Sequence, residues 1–353
     1  MTRFERLAAL LEEPLLVAGP PYVLGGQANV RYLTGLDSSN SAVLVEPDAT
    51  ATLYSDFRYA HRGRQVPGVE FVEVARSLLP AIGEQLAGRR IAFEEVHLSY
   101  AGYRALVDAG VDAVPTPPVV ESLRAVKDDE EIAIMRRAGA LSDKIFDALS
   151  RERFSGRTER ELVWWVERSF REAGAEGVAF PTVVAAGETG TSPHAVPGDE
   201  PVEEGVLVIV DAGCVVDGYC SDCTRTFAVG DVSERLREIY ALCLEAQLAG
   251  LAAVAPGVHG KDADATARDV IAGAGLGDAF GHGLGHGVGV QIHEWPVLRP
   301  ESIDVLEPGN VVSVEPGIYL PGEGGVRIED LVLVTEGGAE RLTKFTKDLL
   351  TVE

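Results

Sequence analysis

The sequence predicts an α+β protein with a smaller N-terminal α/β domain and a larger C-terminal domain. Its 353 residues suffice for two ordinary domains. Apolar strand-like runs alternate with helix-like runs up to residue 114, the pattern of an α/β unit. The prolines of the stretch 115–118 end that alternation, because proline continues neither a strand ladder nor a helix. We therefore place the domains at residues 1–121 and 122–353.

The N-terminal domain is expected to contain a mixed sheet of its own. Its periodicity predicts a short amphipathic helix over 2–12 and a hairpin formed by 41–45 and 52–54. Further helices are predicted over 57–65, 78–86 and 100–109, and extended segments over 69–74, 90–93 and 111–114.

The C-terminal domain begins with a long predicted helix over 128–150. Four acidic residues at 128–131 lie at its start, where negative charges interact favourably with the positive end of the helix dipole. Other helices are predicted over 158–173, 233–253 and 261–272, and strands over 182–186, 206–211, 219–229, 311–319 and 326–335.

Composition disfavours some partners and leads us to expect a cytoplasmic protein. A net charge of -24 disfavours nucleic acid and anionic membranes as partners. The N-terminus lacks the apolar segment of a signal peptide, and no apolar run approaches the roughly 20 residues that span a bilayer. The cysteines of Cys220-x-x-Cys223 have zinc-knuckle or redox spacing but no second pair, so we expect buried thiols.

A glycine-rich stretch over 281–289 carries His282 and His286, with His293 close behind. Five of its nine residues are glycine, which makes a helix very unfavourable. Glycines allow close backbone approach, and imidazoles bind metals or transfer protons. The stretch is therefore a candidate site.

Two pairs of acidic residues follow apolar strands. Asp211 ends one predicted strand, and Asp222 follows a turn signal at Asp217-Gly218. A hairpin with a two- or four-residue loop puts both carboxylates on one face. Glu315 and Glu329 repeat this arrangement around a predicted five-residue loop over 321–325.

Four buried carboxylates and one imidazole suit a pair of divalent ions such as manganese, cobalt or zinc. Two ions about 3.5–4 Å apart lower the pKa of a shared water and present hydroxide to a carbonyl. The residues themselves thus indicate a dinuclear hydrolase.

The same residues resemble the five ligand motifs of the pita-bread metallopeptidases, which include Xaa-Pro aminopeptidase, prolidase and methionine aminopeptidase. The N-terminal domain and the hinge over 123–132 are similar to the proline-specific, creatinase-type branch. The motifs are Asp211-Ala212-Gly213, Ser221-Asp222-Cys223-Thr224-Arg225-Thr226, Gly281-His282-Gly283-Leu284-Gly285-His286, Ser313-Val314-Glu315-Pro316-Gly317 and Arg327-Ile328-Glu329-Asp330.

The resemblance implies a role for each matching residue. Asp211, Asp222, His286, Glu315 and Glu329 would hold two ions, manganese first among the candidates, and Glu315 would also accept a proton from the nucleophile. The other side chains would act on the substrate. His194 would close over it, His293 would stabilise the tetrahedral intermediate, His282 would lie near the proline carboxyl side, and Arg327 would face or gate the substrate.

The resemblance also implies substrates with proline in the second position and a homodimer. Dipeptidases of this branch often carry an arginine four residues after the histidine that matches His293. Val297 occupies that position here, and the nearest arginine is Arg299. This favours an Xaa-Pro aminopeptidase, with an Xaa-Pro dipeptidase as the alternative. A creatinase-like hydrolase and a non-catalytic binding protein on the same fold are the remaining rivals.

Overall fold

The structure is a computed structural model that describes residues 1–19 and 27–353. The chain forms two compact units, Met1–Arg124 and Ala125–Glu353. No helix in the described part of the chain is both long and apolar enough to cross a membrane.

The first unit contains one six-stranded mixed sheet, in the order β4-β3-β2-β1-β5-β6. Its central strand, β1, pairs antiparallel with β2 and parallel with β5. Helices α4 and α5 cover the sheet through an apolar cluster that includes Ile82 and Leu106. The elements in chain order are α1 (Arg3–Ala8), β1 (Leu15–Ala18), α2 (Ala28–Thr34), β2 (Ser41–Val45), β3 (Ala51–Ser55), α3 (Ala60–Gly63), β4 (Glu70–Glu73), α4 (Leu78–Gln85), β5 (Arg90–Glu94), α5 (Tyr100–Asp108), β6 (Asp112–Thr116) and α6 (Val120–Ala125).

The mixed sheet and the β2–β3 hairpin agree with the sequence prediction. The prediction missed β1 and α2, and it extended α3 well beyond its single turn. Strand β1 is four consecutive buried apolar residues, because it lies in the middle of the sheet with both faces covered. Such a short continuous run has no alternation to reveal it.

The second unit holds four helices and fourteen strands among the described residues. The elements are α7 (Asp129–Leu149), α8 (Glu159–Glu172), β7 (Gly177–Val178), β8 (Val183–Ala186), β9 (Leu207–Asp211), β10 (Cys214–Val216), β11 (Tyr219–Cys220), β12 (Thr224–Val229), α9 (Glu234–Ala253), α10 (Gly260–Gly273), β13 (Gly285–Gly287), β14 (Glu294–Leu298), β15 (Val311–Val314), β16 (Gly317–Leu320), β17 (Gly324–Arg327), β18 (Asp330–Thr335), β19 (Gly338–Arg341) and β20 (Thr351–Val352).

Two larger sheets of this unit are each backed by a pair of helices. Helices α7 and α8 pack on the sheet β20-β12-β9-β8 through a cluster that includes Phe146 and Phe170. Helices α9 and α10 pack on the sheet β14-β13-β15-β18-β19 through a cluster that includes Ile239 and Ile271. Burying one face of each helix against a sheet stabilises both layers.

The sequence marks the start of α7 as predicted. The Asp128 side chain accepts a hydrogen bond from the Glu131 backbone amide at 3.0 Å, and the Glu131 carboxylate accepts one from the Asp128 amide at 2.9 Å. This capping box satisfies two amides that have no partner inside the helix.

Two predicted strands are interrupted. The run 219–229 is divided by Ser221, Asp222 and Cys223, and the run 311–319 is divided at Glu315-Pro316. Both interruptions carry candidate ligands. Residues typical of strands stand on both sides of each interruption, so sequence periodicity alone does not show where the strand breaks.

Candidate metal centre

Asp211 and Asp222 lie on the same face of a two-residue hairpin, as the sequence predicted. Val216 pairs with Tyr219 across the turn Asp217-Gly218, in which both residues have positive φ angles of 44° and 84°. Further along, Asp211 pairs with Thr224, so Asp222 is its diagonal neighbour two residues away. Side chains two residues apart on a strand share a face, which brings the two carboxylates together.

Glu315 and Glu329 also face each other, although the predicted loop is wrong. Leu320 pairs with Gly324, so the connecting loop has three residues and not five, because Gly324 and Gly325 continue β17. Val314 pairs with Asp330 in the adjoining sheet and Gly317 with Arg327. The two glutamates occupy the gap between these pairs.

His286 lies on β13, whose path between its neighbouring strands requires glycine on both sides of the histidine. A Cβ atom on Gly285 would lie 2.0 Å from the Ser313 carbonyl oxygen, and one on Gly287 would lie 2.2 Å from the Trp295 carbonyl oxygen. These glycines let β13 pass between β14 and β15. The His286 Nδ1 atom lies 3.1 Å from the Gly287 carbonyl. A carbonyl only accepts, so Nδ1 carries a proton, and Nε2 is the nitrogen that can bind a metal once it has lost its own proton.

The five predicted ligands converge in the structure. Ligand atoms of Asp211, Asp222 and Glu329 lie within 4.8 Å of one another. The free Nε2 of His286 lies 3.2 Å from Glu315 Oε1 and 3.7 Å from Asp222 Oδ2.

Electrostatics show that the carboxylates repel one another. Burial, and then repulsion from Asp211, raises the pKa of Asp222 well above its usual range. Burial, and then repulsion from Asp222, does the same to the pKa of Glu329. Burial by itself raises the pKa of Glu315, but His286 outweighs it and lowers that pKa to about 2. A cation among these groups would remove the repulsion.

The donor set fits divalent ions. Asp211 Oδ1 and Glu329 Oε1 are buried and accept no hydrogen bond from any residue that the structure describes. A buried carboxylate oxygen without a partner is costly unless a cation binds it. Oxygen and imidazole ligands of this kind suit manganese, cobalt or zinc.

Sequence reasoning missed the side chains that orient the ligands. Ser313 Oγ accepts a hydrogen bond from the His286 amide at 3.0 Å and donates to Glu315 Oε1 at 2.9 Å. Thr224 Oγ1 donates to Glu329 Oε2 at 2.8 Å. Both residues stand inside the quoted motifs, two residues before or after a ligand, so the period of a strand could have identified them.

A cavity of about 480 Å³ opens onto these ligands. It is lined by the three other histidines that the sequence singled out, His194, His282 and His293. The rings of His286 and His293 meet edge to face with centroids 4.4 Å apart. Burial, followed by the charges of His286 and His194, lowers the pKa of His293. Apolar side chains complete the wall, namely Phe180, Pro181, Val183, Ile292 and Val297.

Arg327 lines the same cavity and is held there by hydrogen bonds. The residue is 3% exposed, and its guanidinium donates to Asp211 Oδ2 at 2.7 Å and to the Tyr319 hydroxyl at 2.9 Å. That hydroxyl lies 2.9 Å from His282 Nε2, while His282 Nδ1 lies 2.8 Å from the Gly283 carbonyl. His282 therefore carries its proton on Nδ1 and accepts from Tyr319. Tyr319 was not anticipated from the sequence.

Arg299 lines the same cavity. It lies just after the end of β14, two residues beyond Val297, the partner of His286 across β13 and β14, and both residues line the cavity. The Arg299 side chain is exposed and forms no hydrogen bond or ion pair with any residue that the structure describes. It offers an unused cation to a ligand.

The cysteines are buried and free, as predicted. No disulfide links any of the four, and burial raises the pKa of the Cys223 thiol well above its usual range. Cys223 Sγ contacts the Glu329 carbonyl and Cys220 Sγ the Val290 carbonyl, so these side chains pack in the interior.

Comparison with known proteins identifies the fold and the family. Residues 133–336 match Metallopeptidase family M24, and residues 3–126 match the Creatinase/Prolidase N-terminal domain. The chain belongs to metallopeptidase family M24 and has the pita-bread fold with a creatinase-type N-terminal domain.

Three relatives illustrate the similarity. The chain is 37% identical to an Xaa-Pro dipeptidase of Pyrococcus furiosus over 99% of each chain. An Xaa-Pro dipeptidase structure from Bacillus anthracis superimposes with a TM-score of 0.92 at 37% identity, covering 99% of each chain. An X-Pro aminopeptidase structure from Thermotoga maritima gives a TM-score of 0.89 at 32% identity, covering 98% of this chain and 100% of the other. The relatives favour the dipeptidase alternative over the aminopeptidase prediction.

Proposed function

We propose that the chain is a metal-dependent Xaa-Pro dipeptidase, which hydrolyses dipeptides at the bond before proline. The observation that carries this proposal is the unpaired Arg299 in the wall of the cavity that holds the ligand cluster. A dipeptide differs from a longer peptide in that its free carboxylate directly follows proline. A guanidinium is well suited to bind a carboxylate with two parallel hydrogen bonds.

Five residues would hold two divalent ions, with manganese the first candidate: Asp211, Asp222, His286, Glu315 and Glu329. When bound, such ions supply Lewis acidity that activates water and polarises the scissile carbonyl. The Glu315 carboxylate, oriented by Ser313 Oγ at 2.9 Å, accepts the proton that the attacking water releases.

The histidines bind and orient the substrate. His293 has a lowered pKa, so at neutral pH its ring is neutral and donates one N–H to the oxygen of the tetrahedral intermediate. His194 is exposed at the rim and closes over the peptide. His282, whose Nε2 is engaged by Tyr319, presents its ring to the proline side.

The apolar wall explains a preference for proline. Proline's imide has no N–H and its φ is fixed, so proteases that bind extended backbone by hydrogen bonds gain nothing from it. The ring of proline can instead be buried against Phe180, Ile292 and Val297. The free α-amine and carboxylate at either end would then fix the register of the peptide.

An Xaa-Pro aminopeptidase is the second candidate. Val297 supports it, because an apolar residue stands where an arginine is typical of dipeptidases, and the Thermotoga maritima structure carries the aminopeptidase name. One assay separates the two. The purified protein is given an Xaa-Pro dipeptide, the same dipeptide with an amidated C-terminus, and an Xaa-Pro-Xaa tripeptide. We expect efficient cleavage of the free dipeptide and slow cleavage of the other two peptides, whereas efficient cleavage of the tripeptide would establish the aminopeptidase.

A further inference from the structure

The segment that carries His282 does not fix its own conformation. His282 stands between Gly281 and Gly283, and a Cβ atom on Gly281 would meet nothing within 4 Å. Glycine has the largest conformational freedom of any residue, so the backbone here must be held by something outside it. An ion pair on α10, outside the cavity lining, holds the backbone on both sides of these glycines.

Asp264 and Arg268 lie one helical turn apart and form a bidentate pair at 2.7 and 2.9 Å. Arg268 also donates to the carbonyl of Phe280 at 2.8 Å and to that of His282 at 2.7 Å. Asp264, 1% exposed, accepts from the Leu284 amide at 2.9 Å. One ion pair therefore fixes three backbone groups on both sides of Gly281 and Gly283.

A second connection runs through an aromatic ring. The Arg268 guanidinium lies 4.2 Å from the centroid of the Phe280 ring, within cation–π distance. The Phe280 ring meets the His282 ring edge to face at 5.0 Å. The position of the imidazole is thus tied to Arg268 through both the backbone and Phe280.

The metal ligand His286 is held by different groups. Its amide donates to Ser313 Oγ, and its Nδ1 lies against the Gly287 carbonyl. Neither Arg268 nor Asp264 hydrogen-bonds to His286, Glu315 or Ser313 in the described part of the chain. Asp264 is closer to the ligand set than Arg268, because the Leu284 carbonyl accepts a hydrogen bond from the Glu315 amide at 2.8 Å. Replacing Arg268 while keeping Asp264 should consequently displace His282 and leave the ligand set in place.

We propose that Arg268 is a positioning residue, which acts through His282 to set how tightly the peptide binds on its proline side. This inference rests on the proposed function, because it assigns His282 to the substrate. Arg268 itself touches neither the substrate nor the metal ligands. Its loss should raise KM more than it lowers kcat.

The test is a double-mutant cycle between Arg268→Gln and His282→Ala, with steady-state kinetics on an Xaa-Pro dipeptide. In the wild-type background we expect Arg268→Gln to raise KM about tenfold, the loss of roughly one charge-assisted hydrogen bond. In the His282→Ala background it should have no further effect on kcat/KM. Arg268→Lys, which keeps the charge and part of the hydrogen bonding, should restore part of the loss.

Two controls separate positioning from general destabilisation. Manganese affinity, measured by calorimetry, should be unchanged in Arg268→Gln. Arg235→Gln, which removes an exposed helix arginine paired with Glu323, should be kinetically silent. Should Arg268→Gln fail to fold, Arg268→Lys alone is compared in both backgrounds.

The outcomes are distinct. Equal losses in the wild-type and His282→Ala backgrounds, or a parallel loss of metal affinity, overturn the positioning role while leaving the proposed function intact. Failure of the wild-type protein to cleave any Xaa-Pro peptide overturns the proposed function and this inference together.

Discussion

The Nε2 atom of His286 lies 3.2 Å from Oε1 of Glu315 and 3.7 Å from Oδ2 of Asp222. His286 lies on β13 between two glycines, and Glu315 follows β15, the neighbouring strand that pairs with β13. Burial by itself lowers the pKa of His286, but Glu315 and Asp222 outweigh it and raise that pKa to about 9. A divalent ion requires this imidazole to be neutral, so metal binding should release a proton.

Removing one of the carboxylates proposed to bind metal should abolish metal binding and activity together. We expect Asp222→Asn and Glu329→Gln to bind less metal and to lose measurable hydrolysis, because each deletes a charged ligand oxygen. Repulsion falls in both variants, so thermal stability without metal should be retained or increased. Metal content by elemental analysis, paired with hydrolysis, checks this.

The matched control is Asp217→Asn, an exposed aspartate at the tip of the same hairpin, paired with Arg137. It should behave as the wild type. Full turnover by either ligand variant would remove the assigned residue from the metal centre.

His293 should contribute to turnover without holding metal. We expect His293→Ala to lower kcat by about 10²-fold, the loss typical of deleting one donor to an oxyanion. Metal content should stay at the wild-type level, since His286 and not His293 faces the carboxylates. The exposed His61 of the first unit provides the control variant His61→Ala. A loss of metal that matches the loss of kcat would make His293 a ligand instead.

Arg299 should determine the preference for dipeptides. We expect Arg299→Gln to lower kcat/KM for a free dipeptide by about 10- to 100-fold, because a hydrogen-bonded charge pair is lost. The amidated dipeptide carries no carboxylate, so the variant and the wild type should cleave it at equal rates. The ratio of the two substrates in each protein is the measurement. Equal losses on both substrates would show that Arg299 supports the cavity wall and does not read the carboxylate.

The first unit contains a buried charge network whose effect on stability depends on pH. Burial by itself raises the pKa of Glu121, but hydrogen bonds from His97 and Asn29 outweigh it and lower that pKa from its usual 4.5 to about 2. A carboxylate with a depressed pKa stabilises the folded state above its unfolded pKa. That contribution is lost as the pH falls from about 4.5 towards about 2.

Glu121→Gln should therefore destabilise the protein near neutral pH, and the difference from wild type should shrink as the pH falls through that range. Arg124 is always charged, and His97, with its raised pKa, is fully protonated there, so neither titrates. The pKa of Glu94 is raised by burial and then by repulsion from Glu121, so Glu121→Gln also relieves that repulsion, which offsets part of the destabilisation near neutral pH. The free energy of unfolding, measured with denaturant at several pH values, tests this. A difference that is constant down to pH 3 would contradict it.

The sequence predicted each pair of carboxylates because the two members of a pair are close together in the chain. Asp222 precedes Thr224 by the two-residue period of a strand, and the turn Asp217-Gly218 sets the register, so the shared face of Asp211 and Asp222 followed from spacing alone. The same parity put Glu315 and Glu329 on one face even though the predicted loop length was wrong, because loops of five and three residues give the same face.

The parts that spacing did not predict depend on contacts between distant segments. Tyr319 meets His282 across 37 positions and Arg225 meets Asp330 across 105, and neither pair has a local signature. A comparison of single positions along the chain finds Val297 and not Arg299, yet Arg299, just after the end of β14, lines the same cavity as Val297.

The most direct test of the account is to titrate manganese into protein stripped of metal while following hydrolysis of an Xaa-Pro dipeptide. We predict no cleavage without metal, a rise in rate that saturates at two ions per chain, and no rise in Glu329→Gln. Cleavage that persists unchanged in the chelated protein would contradict the account, because the five converging ligands would then not carry the reaction.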